Sequence, residues 1–454
     1  MTPQLRSHWQ PVVAVTDPQA RISVDGVGPL YADRERTPSR DIADQLLVEL
    51  GTVRSRFLVC GARGSGKSTE LVRLAALLRD DFTVLHIDVA PILEGGRGTL
   101  TIVLAVALEA VRRVAEWEGY TLERIADHDI GGQLARGLRR WQDDVNLSEL
   151  IRAVGALVAA APGEAPLLVG GAMQIVGSLS NSGVLFTRAL RPLNDLVKGA
   201  IGDRVTLSRS DDARALVDTA NNALARLHGL TGKLPLLLID GLDRLKDPTE
   251  VEQALYDDER LRDLEFPLVL TGPVTLRADP RFNTKAQATF HTALLYNVPV
   301  VHPDGTPDPR GVANMAEVWR RRAEHAAIDP GVLPADGVAY AARMSSGIYR
   351  EFLGILKRAA LNALRANRRV ATRADVDLAV ADVRNALQNQ LNDARIHILS
   401  RVATRRTLPD AADTDRLLFE NFIACYRSTD IWFRPHETLV SYVMEHAVQG
   451  NGGA

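Results

Sequence analysis

Short apolar runs rich in leucine and β-branched residues alternate with amphipathic stretches of helical period through the first two thirds of the chain. The runs at 56–60, 83–89, 235–240, 266–271 and 293–301 predict strands. Each is apolar almost throughout, not alternating, which is the pattern of strands buried on both faces of a parallel sheet. Strands separated by helical stretches predict an α/β fold. Beyond about residue 311 the strands stop and amphipathic helices are predicted over 311–327, 334–344, 349–366 and 372–404. Thr372, followed by Asp375 and Asp377, reads as a helix cap with acid in the first turn. Prolines and glycines over 301–311 read as a linker. No repeat of 20–50 residues stands out.

Composition narrows the classes. The 454 residues carry 54 cationic and 56 acidic side chains, a net of -2, which argues against a globally basic nucleic-acid binder. With 46% hydrophobic and 24% charged residues the chain is of ordinary globular make-up, not a disordered one. Six of the cations are lysine and 48 are arginine, so an arginine-rich stretch says little and a well-placed lysine says more. Cys60 and Cys425 lie in apolar surroundings without metal-ligand spacing and read as reduced, buried residues of a cytoplasmic protein. The first residues lack the apolar run of a signal peptide. The apolar pieces 153–161 and 165–173 are broken by Pro162, Gly163, Glu164 and Pro166, and each falls short of the roughly 18 residues a membrane span needs.

The chemistry is densest at Gly61-Ala62-Arg63-Gly64-Ser65-Gly66-Lys67-Ser68, a G-x-x-x-x-G-K-[ST] phosphate-binding loop. A buried strand feeds it and a helix follows, which is the context the motif requires. Gly61, Gly64, Ser65, Gly66, Lys67, Ser68 and Thr69 are the candidate cradle, with backbone N–H groups and a helix N-terminus turned to the phosphates. Lys67 is placed for the terminal phosphates and Ser68 for Mg²⁺. The second metal-binding acid is Asp240, at the end of Leu236-Leu237-Leu238-Ile239. Carboxyl ends of strands are where open parallel sheets bind ligands. Asp243 is either the acid that polarises the attacking water or a helix cap. The histidines are scattered without metal or triad spacing, and His436 reads as a packing or capping residue. The Asn-Lys-x-Asp pattern that specifies guanine is missing, so ATP is the expected nucleotide; Arg34, Asp41 and Ile42 are the candidates to line its base.

The loop at 61–68 and the segment 236–245 resemble those of the AAA+ and STAND divisions of P-loop ATPases. Gly241 and Asp243 are similar to the small residue and further acid that follow the metal-binding acid in the NACHT group, whereas Arg244 departs from the acid common there. The resemblance implies that Thr271, ending a strand, is the polar sensor 1. It likewise implies that Arg350, within Ser346-Gly347-Ile348-Tyr349-Arg350, is the sensor 2 of a helical lid reaching the γ-phosphate. Arg277 and Arg281 fall where an arginine finger is expected, and the tail around Trp432 and Phe433 resembles a winged helix.

The resemblance thus implies an N-terminal extension (1–33), an ATPase core (34–310), a lid (311–406) and a winged-helix-like unit (407–454). The core holds an insert at about 115–210, which accounts for the 173 residues between Lys67 and Asp240. It implies an ATP- and Mg²⁺-dependent switch that assembles with itself or signals to a partner effector protein, as in a conflict system. An origin-recognition-like DNA-binding ATPase is the alternative, because residues 343–406 carry a net of +8, although the tail from Thr407 carries -4. A membrane-associated NTPase acting through the insert is a third class. Trp432 and Phe433 are either a base-stacking wing or, more commonly for such a pair, core.

Overall fold

Five parallel strands form the central sheet of the computed structural model, which describes residues 2–20, 22–34, 37–49, 55–90, 98–140, 146–160, 207–244, 259–277 and 289–450. They are β1 (Arg56–Gly61), β2 (Phe82–Asp88), β3 (Leu234–Asp240), β4 (Leu268–Pro273) and β5 (His291–Leu295), in the order β2-β3-β4-β1-β5. Every pairing in the sheet is parallel, as the unbroken apolar runs imply. β4 lies between β1 and β3, so the loop after β1 and the acid ending β3 face each other across one strand end.

Side chains alternate across the sheet, and each face has its own core. Val84, Leu236, Leu238, Val269, Phe57 and Val59 pack under α2 (Val24–Leu30), α3 (Pro38–Val48) and α4 (Lys67–Leu78). Leu85, Ile87, Leu237, Ile239, Leu270 and Leu58 pack on the other face against α5 (Gly98–Trp117), and against the expected insert. Within that insert, α6 (Asp129–Arg139) and α7 (Leu147–Ala160) add Leu134, Leu138, Leu150 and Ile151 to the same core, and α8 (Leu207–Thr231) leads back to β3. This part of the insert is therefore core-building. Residues 161–206 lie outside the described residues, as does the apolar piece at 165–173. Among the described residues no helix is long and apolar enough to cross a membrane.

The region expected to be the lid is a helical unit of α9 (Pro309–His325), α10 (Ala335–Met344), α11 (Tyr349–Arg365) and α12 (Arg373–Gln388). The N-terminal helix α1 (Pro3–Val15) belongs to it too. Thr2 caps α1 by accepting from Leu5 N–H at 3.3 Å, and Leu5, Trp9 and Val12 enter the lid core beside Phe352 and Val338. Trp9 is fully buried, and its indole N–H donates to the Arg368 carbonyl at 2.8 Å.

Beyond it, α13 (Asp393–Arg405), α14 (Thr414–Phe419), the antiparallel hairpin β6 (Ile423–Arg427) and β7 (Ile431–Pro435), and α15 (Val440–Gly450) share a fourth cluster. The helix expected over 372–404 is in fact two. Asn392 accepts from Arg395 N–H at 2.9 Å and starts α13, which packs with the hairpin rather than the lid. The helix thus breaks at residues 389–392, while Leu387 at the end of α12 and Leu391 already pack on the same cluster. The strand expected over 293–301 also ends early, at Leu295. Asn297 N–H donates to the Cys425 carbonyl and Val298 N–H to that of Gly347, so the backbone there serves the hairpin and lid instead of the sheet.

Trp432 is buried against Tyr426, with ring centroids 4.5 Å apart, and is a core residue. Cys60 and Cys425 are both buried and not joined in a disulfide. Because α1 fills the lid core through one large side chain, Trp9→Ala is expected to cost about 3–5 kcal/mol, read as a lower urea midpoint for lid unfolding.

Candidate phosphate-binding site

The loop after β1 turns through Gly64, at φ +84°, and Gly66, at φ +101°, and enters α4 at Lys67. Both angles are left-handed, which side chains resist. The space is also taken. A Cβ on Gly64 would lie 2.7 Å from Arg350 Cβ, and one on Gly66 would lie 2.7 Å from an Arg34 guanidinium nitrogen. Ser65 N–H donates to the Ala62 carbonyl at 3.2 Å, while the Ser65 hydroxyl is buried against Gly61 without a hydrogen-bond partner. Ser68 and Thr69 follow in the first turn of α4, where unpaired backbone N–H groups and the positive helix end favour anions.

Lys67 is almost fully buried. Its ammonium donates to the carbonyls of Gly61 at 2.8 Å and Ala62 at 2.9 Å, and pairs with Asp243 at 2.9 Å. A lysine has three hydrogens to give, so these contacts account for all of them.

Across the ends of β4, β3 and β2 stands a polar row on the face that α4 covers. Thr271 Oγ1 accepts from Gly241 N–H at 3.0 Å and donates to Asp240 Oδ1 at 3.0 Å, so the backbone fixes its hydroxyl. Asp240 is register partner to Asp88 of β2. Burial, and then the carboxylates of Asp88 and Asp243, push the Asp240 carboxyl above its ordinary value, against the pull of His86 and of a hydrogen bond from Ser68. Among the described residues no three His, Cys, Asp or Glu side chains form a metal cage. Ser68 and Asp240 offer one hydroxyl and one carboxylate, a donor pair of the kind Mg²⁺ accepts when phosphates and water supply the rest, and a cation there would relieve the crowded negative charge. The residues fit the ion.

Three other parts of the chain reach the same loop. From the lid, Arg350 N–H donates to the Gly64 carbonyl at 3.3 Å and its side chain lies along Gly64. From the segment before α3, Arg34 donates to the Ser65 carbonyl and lies 4.6 Å over the Tyr349 ring. Arg34 also faces Glu70 at 3.9 Å, a buried carboxylate held by Tyr31 at 2.6 Å and Ser39 at 2.7 Å. From the C-terminal unit, Asn421 donates to the Arg63 carbonyl at 3.0 Å, and Ala62 joins that unit's apolar cluster.

The turn carrying Arg350 is itself pinned. Tyr426 and Asn297 donate to the Ser346 carbonyl at 3.0 and 3.2 Å, and the Ser346 hydroxyl accepts from Glu437 N–H at 2.8 Å. His436 is buried between Glu351 at 2.7 Å and Thr438 at 2.8 Å, which is the packing role expected of it.

The structure therefore brings together Lys67, Ser68, Asp240, Asp243, Thr271 and Arg350. Ile42 lies in the core under α4 and Asp41 is exposed on α3, so of the three base-lining candidates Arg34 alone is seen against the loop. Arg277 ends a short helical turn after β4, and Arg281 lies outside the described residues. Sequence reasoning passed over Asp88, Glu70 and Asn421. A signal for Asp88 was present: 84–88, like 236–240, is an apolar strand ending in aspartate.

A parallel five-stranded sheet flanked by helices, with a glycine-rich G-x-x-x-x-G-K-S loop between β1 and α4, defines the core as α/β. No protein-family model matches the sequence, and no curated protein does. Solved structures similar to it include the Aeropyrum pernix ORC1 protein in complex with DNA, at 14% identity over 92% of this chain and 94% of that one, with a TM-score of 0.37. Drosophila ORC bound to DNA is 13% identical over 98% and 93%, with a TM-score of 0.40. The Aeropyrum pernix ORC2 protein in its ADP form is 12% identical over 93% and 97%, also at 0.40.

Gly64 is left-handed and in contact with the lid, so Gly64→Ala is expected to destabilise the chain by about 1–2 kcal/mol, measured by denaturant unfolding.

Proposed function

We propose that this chain is a Mg²⁺-dependent ATPase of AAA+/STAND-like type whose nucleotide state sets how the core, lid and winged-helix-like C-terminal unit are held together. The observation that carries the reading is the Lys67 ammonium, which holds Asp243 inside a loop that the lid touches through Arg350. A phosphate arriving in the cradle competes for the hydrogens Lys67 gives to Asp243. The released Asp243 and the bound phosphates then reorganise the space beneath Arg350. Ser68 and Asp240 are the residues to hold Mg²⁺, which when bound screens charge on the phosphates. Thr271 keeps Asp240 oriented, and Arg350 reads the terminal phosphate from the lid. Loss of that phosphate removes the charge on which Arg350 closes. The missing guanine pattern favours ATP.

The switch is proposed to act through assembly with further copies of the chain or through an effector protein. A DNA contact is a second reading, favoured by one observation: exposed Arg405 and Arg406 at the end of α13 adjoin the hairpin, whose tip exposes Arg427. Binding of duplex DNA that weakens steeply with salt would support it, and salt-independent or undetectable binding would remove it.

Lys67→Ala is expected to weaken ATP binding by about 100-fold or more, measured by calorimetry on the full chain; unchanged affinity would refute the site. Mass photometry with and without ATP tests assembly. A nucleotide-dependent mass is the expected result, and an unchanged monomer would leave the effector route.

A further inference from the structure

We propose that Asp88 is the second carboxylate of the hydrolytic centre, the group that orients the attacking water. The inference rests on the ATPase reading above and adds a residue to it. In a P-loop site the metal-binding acid does one task and the attacking water needs an acceptor of its own. Immediately after Asp240 the chain has no such acceptor, because residue 241 is glycine. Asp243, paired with Lys67 until phosphate arrives, is the rival acceptor that the test below separates from Asp88.

The geometry supplies an acid from the neighbouring strand. Asp88 and Asp240 are register partners in a parallel pair, so their side chains leave the same face of the sheet. That face is the one α4 covers with Lys67 and Ser68 in its first turn. Gly241 has φ +103°, and a Cβ there would lie 2.8 Å from Asp88 Oδ1 and 2.6 Å from Ala90 N. No side chain can start from position 241, and the space it would enter already holds the Asp88 carboxylate. Asp88 is 2% exposed. Its Oδ1 accepts from Ala90 N–H at 3.1 Å, which shapes the turn after β2. A turn of that kind needs one neutral acceptor, and asparagine would provide it without the cost of burying a charge.

In the step assigned to this centre, the water oxygen bonds to the γ-phosphorus as the bond to the β,γ-bridging oxygen breaks. That oxygen leaves on ADP with the electron pair. Asp88 accepts a hydrogen bond from the water throughout, and both water protons end on the released inorganic phosphate.

Asp88→Asn tests the assignment because its side-chain oxygen still accepts from Ala90 N–H. Single-turnover hydrolysis of Mg·ATP, equilibrium ATP binding, thermal unfolding, and binding of ADP with aluminium fluoride or with beryllium fluoride are measured on the full chain. The expected result is a hydrolysis rate lower by about 100-fold or more, with ATP and ADP–beryllium fluoride affinities within about threefold of wild type. The affinity for ADP–aluminium fluoride, which mimics the attacked phosphoryl group, is expected to fall by a similar factor, with the unfolding temperature unchanged. A rate within about threefold of wild type would overturn the proposal. So would a slow rate accompanied by loss of ATP binding or of thermal stability, which is the signature of a turn-former. If Asp243→Asn abolished hydrolysis while Asp88→Asn did not, the water would belong to Asp243. A wild-type chain that failed to bind ATP would instead bring down the ATPase reading, and this assignment with it.

Discussion

The three hydrogens of the Lys67 ammonium set the terms for the site. Two go to carbonyls of its own loop and one to Asp243, in a pocket that excludes most water. A buried ammonium without partners would be costly, so the loop, the Asp243 turn and α4 must keep their relative positions until something of equal or greater negative charge arrives. Phosphate is such a partner. A ligand shifts an equilibrium only through interactions that differ between its states, and exchange of Asp243 for phosphate is a difference of that kind.

Around this constraint the rest of the chain is arranged as contacts to one short loop. Arg34 presses on Gly66, Arg350 on Gly64, Asn421 holds Arg63, and Ala62 is packed into the C-terminal cluster. Because the two glycines have neighbours where a Cβ would stand, their requirement is tertiary as well as conformational. On the proposed reading, the same crowding would carry a change at bound phosphates to the segment before α3, to the helical unit and to the C-terminal unit without a separate relay. The turn at Ser346 is held by Tyr426 of the hairpin, Glu437 just beyond it and Asn297 after β5, so the turn carrying Arg350 is positioned largely by the C-terminal unit.

What could be read from sequence was what is local. The loop at 61–68, the strands β1 to β4 and the helices α9 to α11 follow from spacing and period within short stretches of sequence. Asp88 was hidden because its importance depends on pairing with a strand 152 residues away. The early end of β5 was hidden because the backbone of Asn297 and Val298 bonds to residues far along the chain. The break between α12 and α13 was legible in principle, since Asn392-Asp393 is a helix-start signature set inside an otherwise helical pattern. The charge reading changed as well. The basic stretch and the acidic tail partly neutralise each other, through Arg395 with Asp413 and Glu420 and through Arg343 with Glu437. A net of +8 beside one of -4 is therefore in part an intramolecular joint.

Hydrogen exchange of the lid turn and first helix turn at residues 346–353, compared between a nonhydrolysable ATP analogue and ADP, tests most directly whether the γ-phosphate is what joins lid to core. The account predicts amide exchange there slower by about tenfold or more with the ATP analogue than with ADP. Equal protection with the two nucleotides, each shown to be bound, would contradict it.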